Sequence, residues 1–189
     1  LSQKTIEEET IKVKIAISLL IKIENQKRMS KVFALSFILL LIISCESNTP
    51  FSKNKSLSGV WNKEEHIEFD LPQLDSLKTY NLFVNLRNTN DYKYNNIFLI
   101  VAMNFPHGKI VTDTLEYKMA NPDGAWLGNG ISSIKDNKLW YKEQVSFKEE
   151  GVYTISIKHA VRNNGQVEGV TNLEGITDIG FSVAEIIQE

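Results

Sequence analysis

The chain has very little cysteine: Cys45 is the only one among 189 residues. A single thiol excludes an intramolecular disulfide, so the folded part must take its stability from a hydrophobic core. Long apolar runs are also lacking. The run over residues 32–43 has 12 residues, whereas a membrane-spanning helix needs about 20. The run is therefore too short to cross a bilayer.

Signatures of catalysis are absent as well. The sequence has no Gly-x-Ser-x-Gly elbow, phosphate loop or dinucleotide fingerprint. None of the three histidines, His66, His107 and His159, has a partner at a recognised metal-ligand spacing. Glu64, His66 and Glu68 would share one strand face, and a solvated face is favoured over a metal site there. We therefore expect no enzyme activity, no cofactor and no metal.

The charge pattern excludes two further classes of partner. Residues 45–189 carry 14 basic and 19 acidic side chains, a net charge of −5. Binding to nucleic acid needs clustered Lys and Arg that release counterions. Electrostatic docking on a membrane surface also needs a basic patch. A mildly acidic domain without a basic stripe favours neither.

The position of Cys45 predicts a lipid anchor. Lys27, Arg28 and Lys31 precede the apolar run, which is the layout of a signal peptide. Residues 42–45, Ile-Ile-Ser-Cys, resemble a bacterial lipobox. In that chemistry the thiol takes a diacylglycerol, the chain is cut before the cysteine, and the freed amino group can be acylated in turn, for instance with palmitate. The alternative is an ordinary signal peptide with an incidental cysteine.

The domain organisation follows from this anchor. Glu46 in place of Asp after the cysteine favours the outer membrane over retention in the inner one. The expected segments are an over-extended start over 1–28, a lipoprotein signal peptide over 29–44, the lipidated cysteine with a flexible Ser/Asn/Lys-rich tether over 45–58, and a folded domain over 59–189.

The folded domain shows alternating apolar and polar residues, which is typical of half-buried strands. Tyr80, Leu82, Val84 and Leu86 would face the core, and His159 shares a face with apolar neighbours as a packed core histidine. Further strands are predicted around Ile67 and Phe69 and over 96–103, 111–119, 139–147, 153–159 and 176–187. Turn signals separate these runs. The prediction is an all-β, antiparallel β-sandwich or jelly-roll-like single domain.

Two long connections, 121–137 and 165–177, are the predicted functional loops. Aromatic residues lie in or beside the predicted loops, including Tyr94, Trp126 and Trp140. Exposed aromatics could stack on sugars, but Trp126 and Trp140 are favoured as caps of the core, because tryptophan buries a large apolar area. The sequence is compatible both with sugar stacking and with core capping by these residues.

Two short triplets resemble an acceptor motif for bacterial O-glycosylation. They are Asp75-Ser76-Leu77 and Asp113-Thr114-Leu115. The motif predicts sugar on Ser76 and on Thr114, with Ser76 the more accessible because it lies in a predicted loop. Mass spectrometry of the native protein that finds both side chains unmodified would rule this out.

An ordered set of local motifs resembles the GldH family of lipoproteins, which are required for gliding motility. The matching segments lie in the family's order along the chain. They are Leu82–Phe98 (LFVNLRNTNDYKYNNIF), Phe105-Pro106 through Asp113-Thr114-Leu115, Gly124–Gly130 (GAWLGNG), Gly151-Val152-Tyr153, His159–Arg162, and Gly175–Gly180 (GITDIG). The resemblance covers roughly residues 61–187.

The resemblance implies a process and no known reaction. The process is surface gliding, linked in this group to type IX secretion. We therefore expect a structural or accessory component of the gliding apparatus, with loops 121–137 and 165–177 docking other gliding or secretion proteins. The candidate partner-binding residues are Arg87, Tyr94, Trp126, Gly128, Trp140 and Arg162. The alternative is a glycan-binding surface lipoprotein that uses Tyr94, Trp126 and Trp140.

Overall fold

A computed structural model of the chain describes Lys22, Gln26 and residues 48–187. The predicted over-extended start, the signal peptide and the lipid acceptor Cys45 lie outside these residues, apart from Lys22 and Gln26. No helix in the part that the structure describes is long and apolar enough to cross a membrane.

Eight strands make up the fold of residues 48–187. They are β1 (Phe51–Asn62), β2 (Ile67–Asp70), β3 (Tyr80–Asn88), β4 (Asn96–Asn104), β5 (Ile110–Lys118), β6 (Lys135–Val145), β7 (Thr154–His159) and β8 (Asn172–Glu185). The prediction of an all-β domain is confirmed. Seven of the eight strands coincide with predicted ones, because each has an apolar face that the sequence displays.

The strands form two four-stranded sheets. The first sheet has the order β1-β8-β3-β6 and the second has the order β2-β7-β4-β5. Every named pairing is antiparallel. Inward side chains of both sheets form one hydrophobic core, with Trp61, Leu86, Ile97, Ile157 and Phe181 among the buried members. This is the predicted antiparallel β-sandwich.

The first strand corrects the sequence-based domain boundary. The expectation of a flexible tether up to residue 58 is wrong from Phe51 onward, because β1 pairs with β8 along its length. Phe51 and Trp61 are buried at its two ends, while the residues between them are mostly polar. An edge strand can be polar, and edge lysines such as Lys53 discourage pairing with other chains. Gly59, at a positive φ of 84°, takes up the register shift of a β-bulge.

Two loop boundaries and the environment of Trp140 also differ from expectation. Strand β6 begins at Lys135 and β8 at Asn172, so the two functional loops end earlier than predicted. Trp140 and Tyr141 lie in the middle of β6. Tyr141 faces the core and Trp140 is about half exposed (51%), so the interpretation of Trp140 as a core cap is wrong. His159 is buried and hydrogen-bonded as predicted.

The connections gather at two opposite ends of the sandwich. At the near end, where β1 begins, lie the connections 71–79, 105–109 and 146–153. Asn48 is fixed there by its carbonyl oxygen, which accepts a hydrogen bond from Glu185 N at 2.8 Å. At the far end lie the connections 63–66, 89–95, 119–134 and 160–171. Nine residues of β3 separate the two ends, about 30 Å at 3.3 Å per residue.

Candidate functional site

The far-end connections are tied together by aromatic side chains. Trp126 Nε1 donates a hydrogen bond to Asn90 Oδ1 at 3.1 Å, which joins 119–134 to 89–95. Tyr94 OH donates to Asn163 Oδ1 at 2.8 Å, which joins 89–95 to 160–171. The ring of Tyr92 lies between them, with centroids 5.6 Å from Tyr94 and 6.2 Å from Trp126. Three connections therefore form one far-end cluster.

Burial of Tyr92 holds this cluster in place. Tyr92 is 3% exposed, and its hydroxyl donates to Asn96 O at 2.7 Å. Burial raises the pKa of this phenol well above its ordinary value, because the charged form would lose its hydration. Tyr92 therefore stays neutral, and its buried ring packs between Trp126 and Tyr94.

Connection 119–134 is fastened to the first sheet by Asn137. The Asn137 side chain is buried, and its Nδ2 donates to Leu86 O at 3.1 Å and to Asn88 Oδ1 at 2.9 Å. Gly128 passes directly over this amide. A Cβ at Gly128 would lie 2.6 Å from Asn137 Oδ1, which is too close for any other residue without a shift. Glycine is therefore required where the backbone passes over Asn137.

The same connection exposes apolar side chains. Leu127 is 48% exposed, Ile134 is 42% exposed, and Ile131 is fully exposed. Val167, in connection 160–171, is also exposed at the far end. Apolar side chains grouped on a fixed loop are typical of a surface that another molecule covers.

The outward face of the first sheet forms a polar groove. Antiparallel register places the outward side chains in three rows that cross β1, β8, β3 and β6. The rows are Ser52–Ser182–Phe83–Trp140, Asn54–Gly180–Asn85–Lys138 and Ser56–Asp178–Arg87–Asp136. The groove has a volume of about 360 Å³ and is lined by polar side chains of these rows together with Thr49, Leu86, Asn129 and Asn137. Phe83 and Trp140 lie beside the groove on the same face.

The charges in this groove are paired with one another. Arg87 Nε donates to Asp136 Oδ1 at 2.5 Å, and this contact and the nearby Asp178 raise the pKa of the guanidinium. Asp178 Oδ1 accepts a hydrogen bond from Ser56 Oγ at 2.6 Å. Arg87 therefore ties β3 to β6 and is not a free cation. In the same face Asn85 Nδ2 donates to Ser182 Oγ at 3.0 Å.

The structure divides the sequence-predicted partner residues between two places. Tyr94, Trp126 and Gly128 lie in the far-end cluster. Arg162 is exposed at the same end, where its backbone pairs with Gly169 and closes connection 160–171. Arg87 and Trp140 lie on the groove face, and Trp140 stacks on Phe83 with a centroid distance of 4.5 Å. The three aromatics proposed for glycan stacking therefore do not form one platform.

The remaining predicted sites are separate from both surfaces. Ser76 is exposed in a near-end turn, where Asp75 Oδ1 accepts a hydrogen bond from Leu77 N. Thr114 is exposed on β5, the edge strand of the second sheet. Modification of Ser76 and Thr114 stays a prediction. Within the described residues, no group of three or more His, Cys, Asp and Glu could hold a metal ion.

The family model of the GldH lipoprotein matches residues 49–183. The chain belongs to the GldH lipoprotein family. One relative, a GldH gliding motility lipoprotein of Flavobacterium johnsoniae, is 53% identical over 146 residues, which cover 77% of this chain and 91% of that protein. Another, a GldH homolog of Christiangramia forsetii, is 47% identical over 152 residues, which cover 80% of this chain and 93% of that protein. The sequence resemblance is confirmed.

Similarity to solved structures is weak by comparison with this GldH match. A structure of the Gx strain of infectious bursal disease virus aligns with a TM-score of 0.30 and 9% identity, over 73% of this chain and 32% of the viral one. At that score the similarity supports no conclusion. Membership of a lipoprotein family establishes a membrane-anchored protein of the cell envelope.

Sequence reasoning missed the groove of this GldH chain and the residue that fastens its loop. The outward positions of β3 and β8 can be predicted from the alternation of polar and apolar residues, because Asn85, Arg87 and Asp178 each stand next to a residue that faces the core. Ser52 and Asn54 cannot be assigned to a sheet from the sequence, because the polar composition of residues 45–58 predicts a tether. Asn137 was assigned to a loop, so its buried contacts to β3 had no signal in the local sequence.

Proposed function

We propose that this chain is a lipid-anchored, non-enzymatic accessory or structural component of the bacterial gliding motility apparatus, linked to type IX secretion. The family match and the names of both relatives support the motility role. One structural observation carries the rest: the sandwich presents its apolar far-end cluster about 30 Å from the end at which the chain enters the fold. Such a molecule holds a docking surface away from the membrane.

The proposed anchor, Cys45, precedes Asn48 by three residues. Three residues span at most about 11 Å when fully extended. Asn48 is hydrogen-bonded to Glu185 at the near end. A diacylglycerol on Cys45 therefore holds the near end close to the lipid surface, and the freedom expected of a 14-residue tether is lost. We assign this surface to the outer membrane on the evidence of Glu46.

Near-end side chains suit contact with lipid. Leu77 is 93% exposed at the tip of connection 71–79, and Val152 is 58% exposed in connection 146–153. Apolar side chains at this end would enter the interfacial region beside the anchor. The near end therefore adds apolar contact to the membrane attachment that the lipid supplies.

The far-end cluster is the proposed docking surface for a protein of the gliding or secretion machinery. Leu127 and Ile131 project from a connection that Asn137, Trp126 and Gly128 hold in one conformation. A preformed apolar loop binds a protein partner with little loss of conformational entropy. Arg162 and Tyr94 supply polar contacts at the rim of this surface, as expected for a protein interface.

Colony spreading of a strain that lacks the gene tests the docking surface. We expect the double variant Leu127→Asp/Ile131→Asp, and separately Arg162→Ala, to restore little or no spreading while keeping wild-type expression and thermal unfolding. Thr112→Asp places a charge at an exposed position of β5 and serves as the control, with normal spreading. Normal spreading of both far-end variants would show that the docking surface is misplaced.

A glycan-binding role is the second candidate function. The aromatic that favours it is Trp140, because half of its surface is exposed while Trp126 and Tyr94 pack around Tyr92. Loss of binding on a glycan array in Trp140→Ala, with normal spreading of the same variant, would favour this role over motility.

A further inference from the structure

We propose that the groove on the outward face of the first sheet binds a neutral oligosaccharide, with Trp140 as the stacking platform and Asn54 and Asn85 as the groups that recognise hydroxyls. The site is distinct from the far-end cluster. It holds whether or not the far-end cluster docks a protein partner. The juxtaposition that carries it is an exposed indole next to a row of amide and hydroxyl side chains on a flat sheet.

The size and shape of the groove suit an extended chain of sugars. Its volume of about 360 Å³ falls in the range of small-ligand sites, about 300–1,000 Å³. The three rows are spaced by two residues along each strand, about 7 Å. Gly180 lies in the middle row, and a Cβ there would overlap Asn54 Oδ1. The Asn54 side chain occupies the space above Gly180, so its amide covers β8 at this point of the groove.

The lining chemistry matches hydroxyl groups. Asn54 and Asn85 each carry both donors and acceptors, as a sugar hydroxyl does, and Ser182 is buried beside Asn85. Asn85 and Ser182 are hydrogen-bonded to each other across β3 and β8, which fixes the orientation of both side chains. A ligand hydroxyl therefore meets polar groups that are already positioned.

The charges of the groove residues balance, which favours a neutral ligand. The groove contains two cations, Arg87 and Lys138, and two carboxylates, Asp136 and Asp178. Arg87 is paired with Asp136, Asp178 accepts from Ser56, and Lys138 Nζ lies over the Phe83 ring at 4.0 Å. An acidic polysaccharide or a basic peptide would have to compete with these internal pairs. A neutral sugar would hydrogen-bond to their remaining lone pairs and donors without separating them.

Trp140 supplies the aromatic platform. Its indole packs at a tilt of 52° against Phe83, which is buried and also lies under Lys138 Nζ at 4.0 Å. This backing fixes the ring, while half of the Trp140 surface remains open to solvent. The C–H face of a pyranose ring can pack on such an indole, whose face carries partial negative charge.

Titration of the detergent-solubilised full chain with neutral oligosaccharides tests the proposal. The probes are linear oligomers of three to five units, one series of hexoses and one of N-acetylhexosamines, followed by tryptophan fluorescence and calorimetry. We expect binding of at least one series, with a dissociation constant that changes little between 50 and 500 mM salt. Trp140→Ala and Asn85→Ala should each raise the dissociation constant about tenfold or more, and Thr112→Ala on the other sheet should leave it unchanged.

Three results would overturn the proposal. The first is no binding of any oligomer in either series. The second is binding that Trp140→Ala and Asn85→Ala leave intact, which would place the sugar elsewhere. The third is preferential binding of an anionic glycan or an extended peptide with a strong salt dependence. None of these results bears on the docking role, which the spreading of the Leu127→Asp/Ile131→Asp variant tests separately.

Discussion

His159 links one residue to the pH dependence of folding. Its Nε2 lies 3.0 Å from Trp61 O, and because a carbonyl only accepts, Nε2 carries the hydrogen. Nδ1 is buried and has no hydrogen-bond partner in the described part of the chain. Burial lowers the pKa of this imidazole, and the nearby Lys63 lowers it further, although the bond to Trp61 opposes both. The folded protein therefore holds His159 neutral.

This lowered pKa predicts acid destabilisation. Between the lowered folded pKa and the ordinary value of about 6.5, the unfolded chain binds the proton and the folded one does not. The free energy of unfolding should therefore fall as the pH drops below about 6.5, by up to about 1.4 kcal/mol per pH unit. Urea unfolding between pH 7.5 and 4.5 measures this slope. His159→Gln should flatten it and His107→Gln, in an exposed turn, should not; an unchanged slope in His159→Gln would contradict the assignment.

Asn137 is a second residue with a defined energetic role. Its amide serves Leu86 O and Asn88 Oδ1 in a buried position beneath Gly128. Asn137→Ala leaves those acceptors unpaired and should lower the free energy of unfolding by about 1–3 kcal/mol. Denaturant unfolding measures the change, with the exposed Asn121→Ala as the control. Equal stability of the two variants would show that the loop does not depend on this amide.

At the scale of the residue, the sequence predicts roles that depend on near neighbours in the chain. The buried position of His159 follows from its place on an apolar strand face. The partners of Asn137 are 49 and 51 residues away. No local sequence pattern predicts such a contact, because it forms only when β3 and β6 pair.

At the scale of the element, β1 is the strand that the sequence does not predict. Strands β3 and β4 alternate between buried and more exposed residues, and this makes them predictable from the sequence. In β1 only the two ends are buried, and the bulge at Gly59 breaks the alternation between them. A mostly polar edge strand resembles a linker by composition, although its backbone is fully paired to β8 on one side.

Strand β1 contributes stability through Phe51. This side chain is 5% exposed and belongs to the core at the near end. Phe51→Ala should lower the free energy of unfolding by about 3 kcal/mol or more, since it empties part of the core. Ser52→Ala, the next residue and exposed, should change it by less than about 0.5 kcal/mol. Similar small effects of both changes, measured by thermal and urea unfolding, would restore the tether interpretation of residues 51–58.

At the scale of the whole molecule, the two ends of the sandwich have different roles. The near end is closed by stacked aromatics, with Phe147 packed against both Tyr80 and Tyr153. It receives the chain at Asn48 and exposes Leu77. The far end carries Ile131 and its neighbours on tied connections. The sequence predicts the loops, and the antiparallel topology adds that they lie at the end opposite Asn48.

The most direct test of this account is photocrosslinking in living, spreading cells. A photoreactive amino acid is placed at Ile131 in one strain and at Leu77 in another. We predict that position 131 captures a discrete protein, that the adduct disappears when Leu127→Asp stops spreading, and that position 77 captures lipid. Capture of the same protein at position 77, or no protein adduct at position 131 in cells that spread normally, would contradict the account.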